Sequence, residues 1–198
     1  MKKLLLSAAM AAFFLINVNA QQRSSGDIEL IPHVGYMSAF LNGDEVDGLD
    51  ERGSFNFGVI GDYFFNDRWS LRSGINFDSM GASVPGSDLT LNYVNIPINA
   101  NWHFGSTRKW NLNFGVTPGF LTKADVDGDD VSDFYKSFQL GISYGIGYKI
   151  EISDNFSILV HGQGLVGVTN IIEEDAGGND FTRLNAGSTI SVGGVFKI

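Results

Sequence analysis

The chain has 198 residues, with 13 basic and 22 acidic side chains, a net charge of −9, 25 glycines, 16 phenylalanines and no cysteine. That length allows one ordinary domain with a packed core. The missing cysteine excludes a disulfide framework, a thiolate metal site and a cysteine nucleophile, and the negative charge argues against nucleic acid as a partner, because duplex binding rests on neutralising phosphates.

Residues 1–20 read as a secretory signal peptide, leaving 21–198 as the folded domain. Lys2 and Lys3 supply the charged start, Leu4 to Ile16 the apolar stretch, and Val18-Asn19-Ala20 a small residue at a cut expected before Gln21. The apolar run falls short of the roughly 20 residues a helical span needs. No cysteine stands at the cut to carry a lipid.

From there the chain alternates with period two. A first strand, Ile28 to Phe40, carries Leu30, Val34, Tyr36 and Phe40 on one side. Phe55, Phe57, Val59, Tyr63 and Phe65 follow on one face of the second, and Trp69, Leu71, Ile75 and Phe77 on the third. The fourth and fifth place Val94, Ile96, Ile98, Trp102 and Phe104, then Trp110, Leu112, Phe114, Val116 and Phe120 on such a face. Phe138 to Ile150, Ile158 to Val168 and Leu184 to Ile198 complete eight strands. No window has the 3.6-residue period of a helix.

Three connectors are tight turns: Asn66-Asp67-Arg68, Ser106-Thr107-Arg108 and Ser153-Asp154-Asn155. Four longer Gly- and Asp-rich connectors, at about 42–52, 79–90, 122–134 and 170–182, alternate with them and hold fifteen of the 22 acids. All long connectors therefore fall at one end of the meander, and the acidity with them. Residues opposed across an antiparallel pair share a face. The face patterns on both sides of each short turn require three turn residues, which sets Phe65 opposite Trp69, Gly105 opposite Lys109 and Ile152 opposite Phe156.

The apolar face could line a soluble core or meet lipid. The opposite face carries Asn56, Asp62, Arg72, Asn76, Asn99, Asn101, Asn111, Asn113, Gln139, His161, Gln163 and Lys197 among glycines, whereas a soluble surface would be rich in Lys and Glu. Aromatics gather at the strand ends: Tyr63, Phe65, Trp69, Trp102, Phe104, Trp110, Tyr148, Phe156 and Phe196 near the short turns, and Phe40, Phe55, Phe77, Phe120, Phe138 and Phe181 near the long connectors. The strands also exceed the roughly 9–11 residues of a tilted bilayer crossing. Hydrocarbon offers no hydrogen bonds, so strands can cross it only as a closed sheet. The expected fold is an all-β, eight-stranded antiparallel up-and-down transmembrane β-barrel. Pro32, Pro97 and Pro118 predict weak rungs or bulges, and the face pattern slips at Tyr93 and Val94, where a bulge is expected.

Tyr93-Val94-Asn95-Ile96-Pro97 resembles the aromatic-x-x-Ile-Pro opening of a mid-barrel strand in the outer membrane protein beta-barrel domain family, a group that includes PorT-type proteins. The end, Gly193-Gly194-Val195-Phe196-Lys197-Ile198, resembles a terminal signal for the barrel-assembly machinery, but closes on Ile where an aromatic is usual. The resemblance spans about residues 27–198, in the size class of the OmpA barrel and OmpX. It implies the Gram-negative outer membrane as location, with outer-membrane lipid and lipopolysaccharide as surroundings and the assembly machinery as partner during biogenesis.

Eight strands leave an interior that side chains largely fill. Asp62 and Arg72 share a rung of the derived register and are expected to form a lumen ion pair. His33, His103 and His161 share that face, but at heights that do not converge on one site, so no catalytic or cofactor-binding residues are expected. Asp125, Asp127, Asp129 and Asp130 crowd like a calcium loop in composition, without EF-hand spacing, and read first as a solvated acidic loop. The leading functional expectation is a non-enzymatic envelope, adhesion or binding protein that meets a protein partner through its loops. An accessory subunit of a secretion or assembly machine, a narrow channel and a lipid-modifying enzyme follow.

Overall fold

The computed structural model describes residues 23–173 and 181–198. The expected signal peptide and its cut before Gln21 lie outside the described residues, as do residues 174–180 of the fourth long connector. The strands are β1 (Ile28–Gly43), β2 (Arg52–Phe64), β3 (Trp69–Val84), β4 (Ser87–Asn95), β5 (Ile98–Phe104), β6 (Trp110–Val126), β7 (Asp129–Asp130), β8 (Phe138–Glu151), β9 (Phe156–Gly167) and β10 (Arg183–Lys197). Consecutive strands pair antiparallel apart from β4 with β5 and β7 with β8, β6 pairs with β8, and β1 with β10, so the sheet closes on itself. β4 and β5 are two halves of one stave, since both pair β3 on one side and β6 on the other. The ring therefore has eight staves.

Proline chemistry accounts for two of the three irregularities. Pro97 cannot donate to the ladder and parts β4 from β5, although the register runs through unchanged. Pro32 stands where the β1–β10 pairing skips from Leu30–Phe196 to His33–Gly193. The expected bulge lies between Asn92 and Tyr93, and its extra residue is on the facing strand. There Thr122 is unpaired and its hydroxyl donates to the Asn92 carbonyl at 3.0 Å.

The short turns close as the parity requires. The Phe65 N–H donates to the Trp69 carbonyl at 2.9 Å, and the Ile152 N–H to the Phe156 carbonyl at 3.1 Å. Phe104 pairs with Trp110, which carries Gly105 to its place opposite Lys109. Two of the four long connectors depart from expectation. Segment 79–90 is a continuation of β3 and β4 turned over Pro85-Gly86, and segment 122–134 extends β6 to Val126, then turns at Asp127-Gly128 into β7. Gly86, Asp127 and Gly128 all have positive φ, the backbone that tight hairpins demand.

The apolar face points outward. Phe55 is 79 % exposed, Ile190 71 % and Val34 65 %, while Asn99, Asn101, Asn111 and Arg72 inside are at most 1 % exposed. The interior glycines explain how such bulky amides fit. Gly35 faces Asn56, Gly58 faces Asn76, Gly115 faces Asn99 and Gly145 faces Gln163 in register. In each pair the amide oxygen occupies the space a Cβ would take, 2.5 or 2.6 Å from it. These glycines give room rather than an unusual φ. Gly58→Ala would press a methyl against the Ile75 carbonyl and, at 2.6 Å, the Asn76 amide oxygen. It is expected to lower stability by about 1–3 kcal/mol, measured as a lower urea midpoint in detergent.

Candidate functional site: lumen and long-loop rim

Polar and charged groups stack through the lumen in layers. At the short-turn end, Arg23 pairs with Glu29 at 2.7 Å, Lys149 pairs with the other Glu29 oxygen, and both cations lie over the Phe64 ring, 5.1 and 5.5 Å from its centroid. Phe64 is fully buried, so these cations and the ring close that end together. Lys109 and Glu151 pair beside it at 3.1 Å. None of these was expected from the sequence. The inward parity of Glu29, Phe64 and Lys149 among outward apolar neighbours was the available signal, whereas Arg23 precedes the first strand and has no parity.

One layer higher, Arg72 donates to Asp62 through Nε at 2.9 Å and Nη2 at 2.8 Å, a bidentate pair on one rung. The Asn101 amide donates to both Asp62 oxygens, at 3.3 and 3.2 Å. His103 meets Ser70 and Asn101, and His161 meets Asn113 and Arg72. From there Asn99 donates to Asn113, Ser143 to Asn99 and Thr117 to Ser143. The histidines thus sit in an amide and hydroxyl network that crosses the barrel, with His33 apart from it near Asp78. Above this layer lies a cavity of about 60 Å³ lined by His33, Asn56, Asp78, Asn99, His161 and Gln163 among others.

Towards the long-loop end the interior turns apolar, contrary to a polar lumen throughout. Met37, Ala39, Leu41, Met80, Ala82, Leu91, Tyr93, Ala124, Leu165 and Ile171 form one buried cluster. Val46 and Leu49 of the first connector, Val131 and Tyr135 of the third and Ile172 of the fourth pack on it. The reason is that this part extends past the aromatic band and needs a core of its own. A smaller apolar cluster, Ile31, Ile60, Leu159 and Val195, lies lower in the lumen.

Hydrogen bonds join each long connector to the next, all the way round. The Asp50 N–H donates to the Ser83 carbonyl at 2.7 Å, and the Asp88 N–H to an Asp127 carboxylate oxygen at 3.0 Å. The Lys136 N–H donates to the Ile171 carbonyl at 2.8 Å, and the Thr182 N–H to Asp44 Oδ2 at 2.9 Å. With Val46, Leu49, Val131, Tyr135 and Ile172 turned into the cap, the connectors leave Asp44, Glu45, Asp47, Asp50, Glu51, Asp88, Asp129, Asp130 and Asp133 exposed.

Three of the four aspartates that crowd like a calcium loop have partners in or beside the third connector. Asp127 accepts from Asp88, Asp130 accepts from the Ser132 N–H at 2.9 Å, and Asp125 pairs with Lys123 at 3.4 Å, while Asp129 is exposed. The Ser87 hydroxyl and then the Asp88 N–H hold the Asp127 carboxyl below its ordinary value, and Ser132 does the same for Asp130. Among the described residues no three His, Cys, Asp or Glu side chains gather as a metal site.

Outside, the aromatics make two bands. At the short-turn end Trp69, Trp102, Phe104, Trp110 and Tyr148 follow one another with ring centroids 4.7–6.3 Å apart, flanked by Tyr63 with Phe65 and Phe156 with Phe196. At the other end Tyr36–Phe55, Phe57–Phe77 and Phe120–Phe138 pair. Such bands suit the two interfaces of a bilayer, where aromatic rings meet headgroups.

Solved structures with this architecture include OprG from Pseudomonas aeruginosa, at 12 % identity and TM-score 0.53 over 91 % of this chain and 99 % of that one. Neisserial surface protein A aligns at 15 % identity and TM-score 0.53 over 86 % and 97 %. The outer membrane protein AlkL in lipid bilayers aligns at 9 % identity and TM-score 0.54 over 89 % and 92 %. At these identities the likeness concerns the fold alone. A search of curated proteins returns no match. Residues 19–173 match the family model described as the outer membrane protein beta-barrel domain, and the chain belongs to that family of outer-membrane barrels.

Proposed function

We propose that the protein is a non-catalytic surface barrel whose long-loop end, facing out of the cell, is an acidic platform that binds a cationic partner. Its termini and short turns then face the periplasm. The observation that carries this reading is the hydrogen-bonded ring of connectors, which holds the exposed carboxylates in place before any partner arrives. A preorganised surface loses less conformational entropy on binding, and clustered charge of one sign speeds encounter with its complement.

A channel is less well supported, because Phe64 with its cations fills one end of the lumen and the apolar cluster fills the other. A lipid-modifying enzyme is less well supported too, because His103 and His161 contact interior groups rather than the lipid face.

The test is binding of a cationic polypeptide, polylysine, to the protein in neutral-lipid nanodiscs. Affinity should fall as salt rises, and neutralising Asp47, Asp50, Asp129 and Asp130 to Asn should weaken it at least tenfold. Unchanged affinity in that variant would overturn the reading.

A further inference from the structure

We propose that the cavity beneath the apolar cap is a binding site for a monovalent alkali cation held by Asp78. Asp78 is 7 % exposed and lines the cavity. Among the described residues Glu29, Asp62 and Asp78 are the buried carboxylates, and only Asp78 has no basic side chain at ion-pair distance. Arg72 also lines the cavity, but both of its paired nitrogens are committed to Asp62. A buried charge without a counter-charge is costly, and a bound cation removes that cost.

The surroundings suit a hard cation. The Asn56 amide donates to Asp78 Oδ1 at 3.2 Å and the Asn95 amide to Oδ2 at 2.6 Å. Both carboxylate oxygens thus face donors, the pattern that suits an ionised group. Asn56 is itself 5 % exposed and lines the cavity, and its amide oxygen has no hydrogen-bond partner. The Asn76 amide oxygen, on the same wall, has none either. The Asn56 and Asn76 oxygens rest against Gly35 and Gly58 at the cavity wall, and a carboxylate with such amide oxygens is the ligand type of alkali and alkaline-earth ions.

Charge selects between them. A single carboxylate is neutralised by a monovalent ion, whereas a divalent ion would leave one positive charge uncompensated in the interior. Among the described residues no second carboxylate lines the cavity with Asp78 to offset it. A volume of about 60 Å³ accommodates such an ion with a few waters.

Thermal unfolding of the full barrel in neutral detergent tests the site, with NaCl or KCl compared against choline chloride at constant ionic strength. A ligand that binds only the folded state stabilises it by mass action, so each tenfold rise in alkali cation above the dissociation constant should raise Tm by about 3–6 °C. The Asp78→Asn variant, which keeps the shape and removes the charge, should show no dependence on the alkali cation. Equal Tm in the alkali salts and in choline would overturn the proposal, as would an alkali dependence in Asp78→Asn as steep as in the unaltered chain. Should Asp78→Asn fail to fold, the alkali–choline comparison on the unaltered chain decides alone.

Discussion

Arg72→Ala is expected to destabilise the barrel by about 3–5 kcal/mol, because it leaves the Asp62 carboxylate buried without its cation. Asp62 is fully buried and receives two Arg72 hydrogen bonds, so Asn101 alone would remain as its donor. Asp62→Ala should cost a similar amount, since it strands a guanidinium that is 1 % exposed beside His161. The charge-swapped double variant, Asp62→Arg with Arg72→Asp, restores opposite charges on one rung and should retain more stability than either of the single charge reversals. Urea unfolding followed by heat-modifiable gel migration measures all of them. Equal damage from the two single reversals and the double swap would show that the pair is not a coupled unit.

Leu91→Ala is expected to cost about 2–5 kcal/mol, concentrated at the long-loop end. Leu91 is fully buried in the cap, among Met37, Met80, Tyr93 and Ile171 and the connector residues packed on them. Its loss leaves a cavity under the first, third and fourth connectors, while the hydrogen-bonded ladders of the staves stay intact. Limited proteolysis should therefore cut within residues 44–51 and 127–136 faster than in the unaltered chain. The same variant separates a held platform from mere acidity: it changes no charge, yet polylysine affinity should fall. Unaltered proteolysis and affinity together would show that the cap does not hold the connectors.

The staves and their register were legible because lipid imposes a strict demand. Outward positions between the bands are apolar or small, so along β6 Leu112, Phe114 and Val116 alternate with Asn111, Asn113 and Gly115 without exception. Turn parity then fixed which residues met, including Asp62 and Arg72. Legibility ended where the demand ends. At the outer aromatic band, Tyr36 and Phe40 face out while Met37, Ala39 and Leu41 face in, so both faces are apolar and the alternation blurs. The composition of 79–90 spoke for a loop, yet Gly81, Ala82 and Ser83 continue the ladder to β4, each pairing in register. Gly81 is confined there by space and by its φ of 121°, with the Leu89 backbone against it.

The charged floor was hidden for a different reason. Glu29 and Lys149 lie 120 positions apart and on staves that do not pair, so no register derived from neighbouring strands could join them. Arg23 reaches Glu29 from outside the sheet, where periodicity says nothing. Asp78 borders an acidic connector in sequence, and the extension of β3 to Val84 puts it inside the barrel.

The fold rests on one arrangement, in which the apolar face meets lipid and the amide face fills the interior. The chain has no cysteine, so single cysteines along β6 can carry spin labels without background, with the protein in a bilayer. Labels at Leu112, Phe114 and Val116 should collide with oxygen, which partitions into hydrocarbon, and be shielded from a water-soluble nickel complex, while labels at Asn111 and Asn113 should be immobilised and shielded from the nickel complex. Nickel access at Leu112, Phe114 and Val116, or immobilisation there with free motion at Asn111 and Asn113, would contradict it.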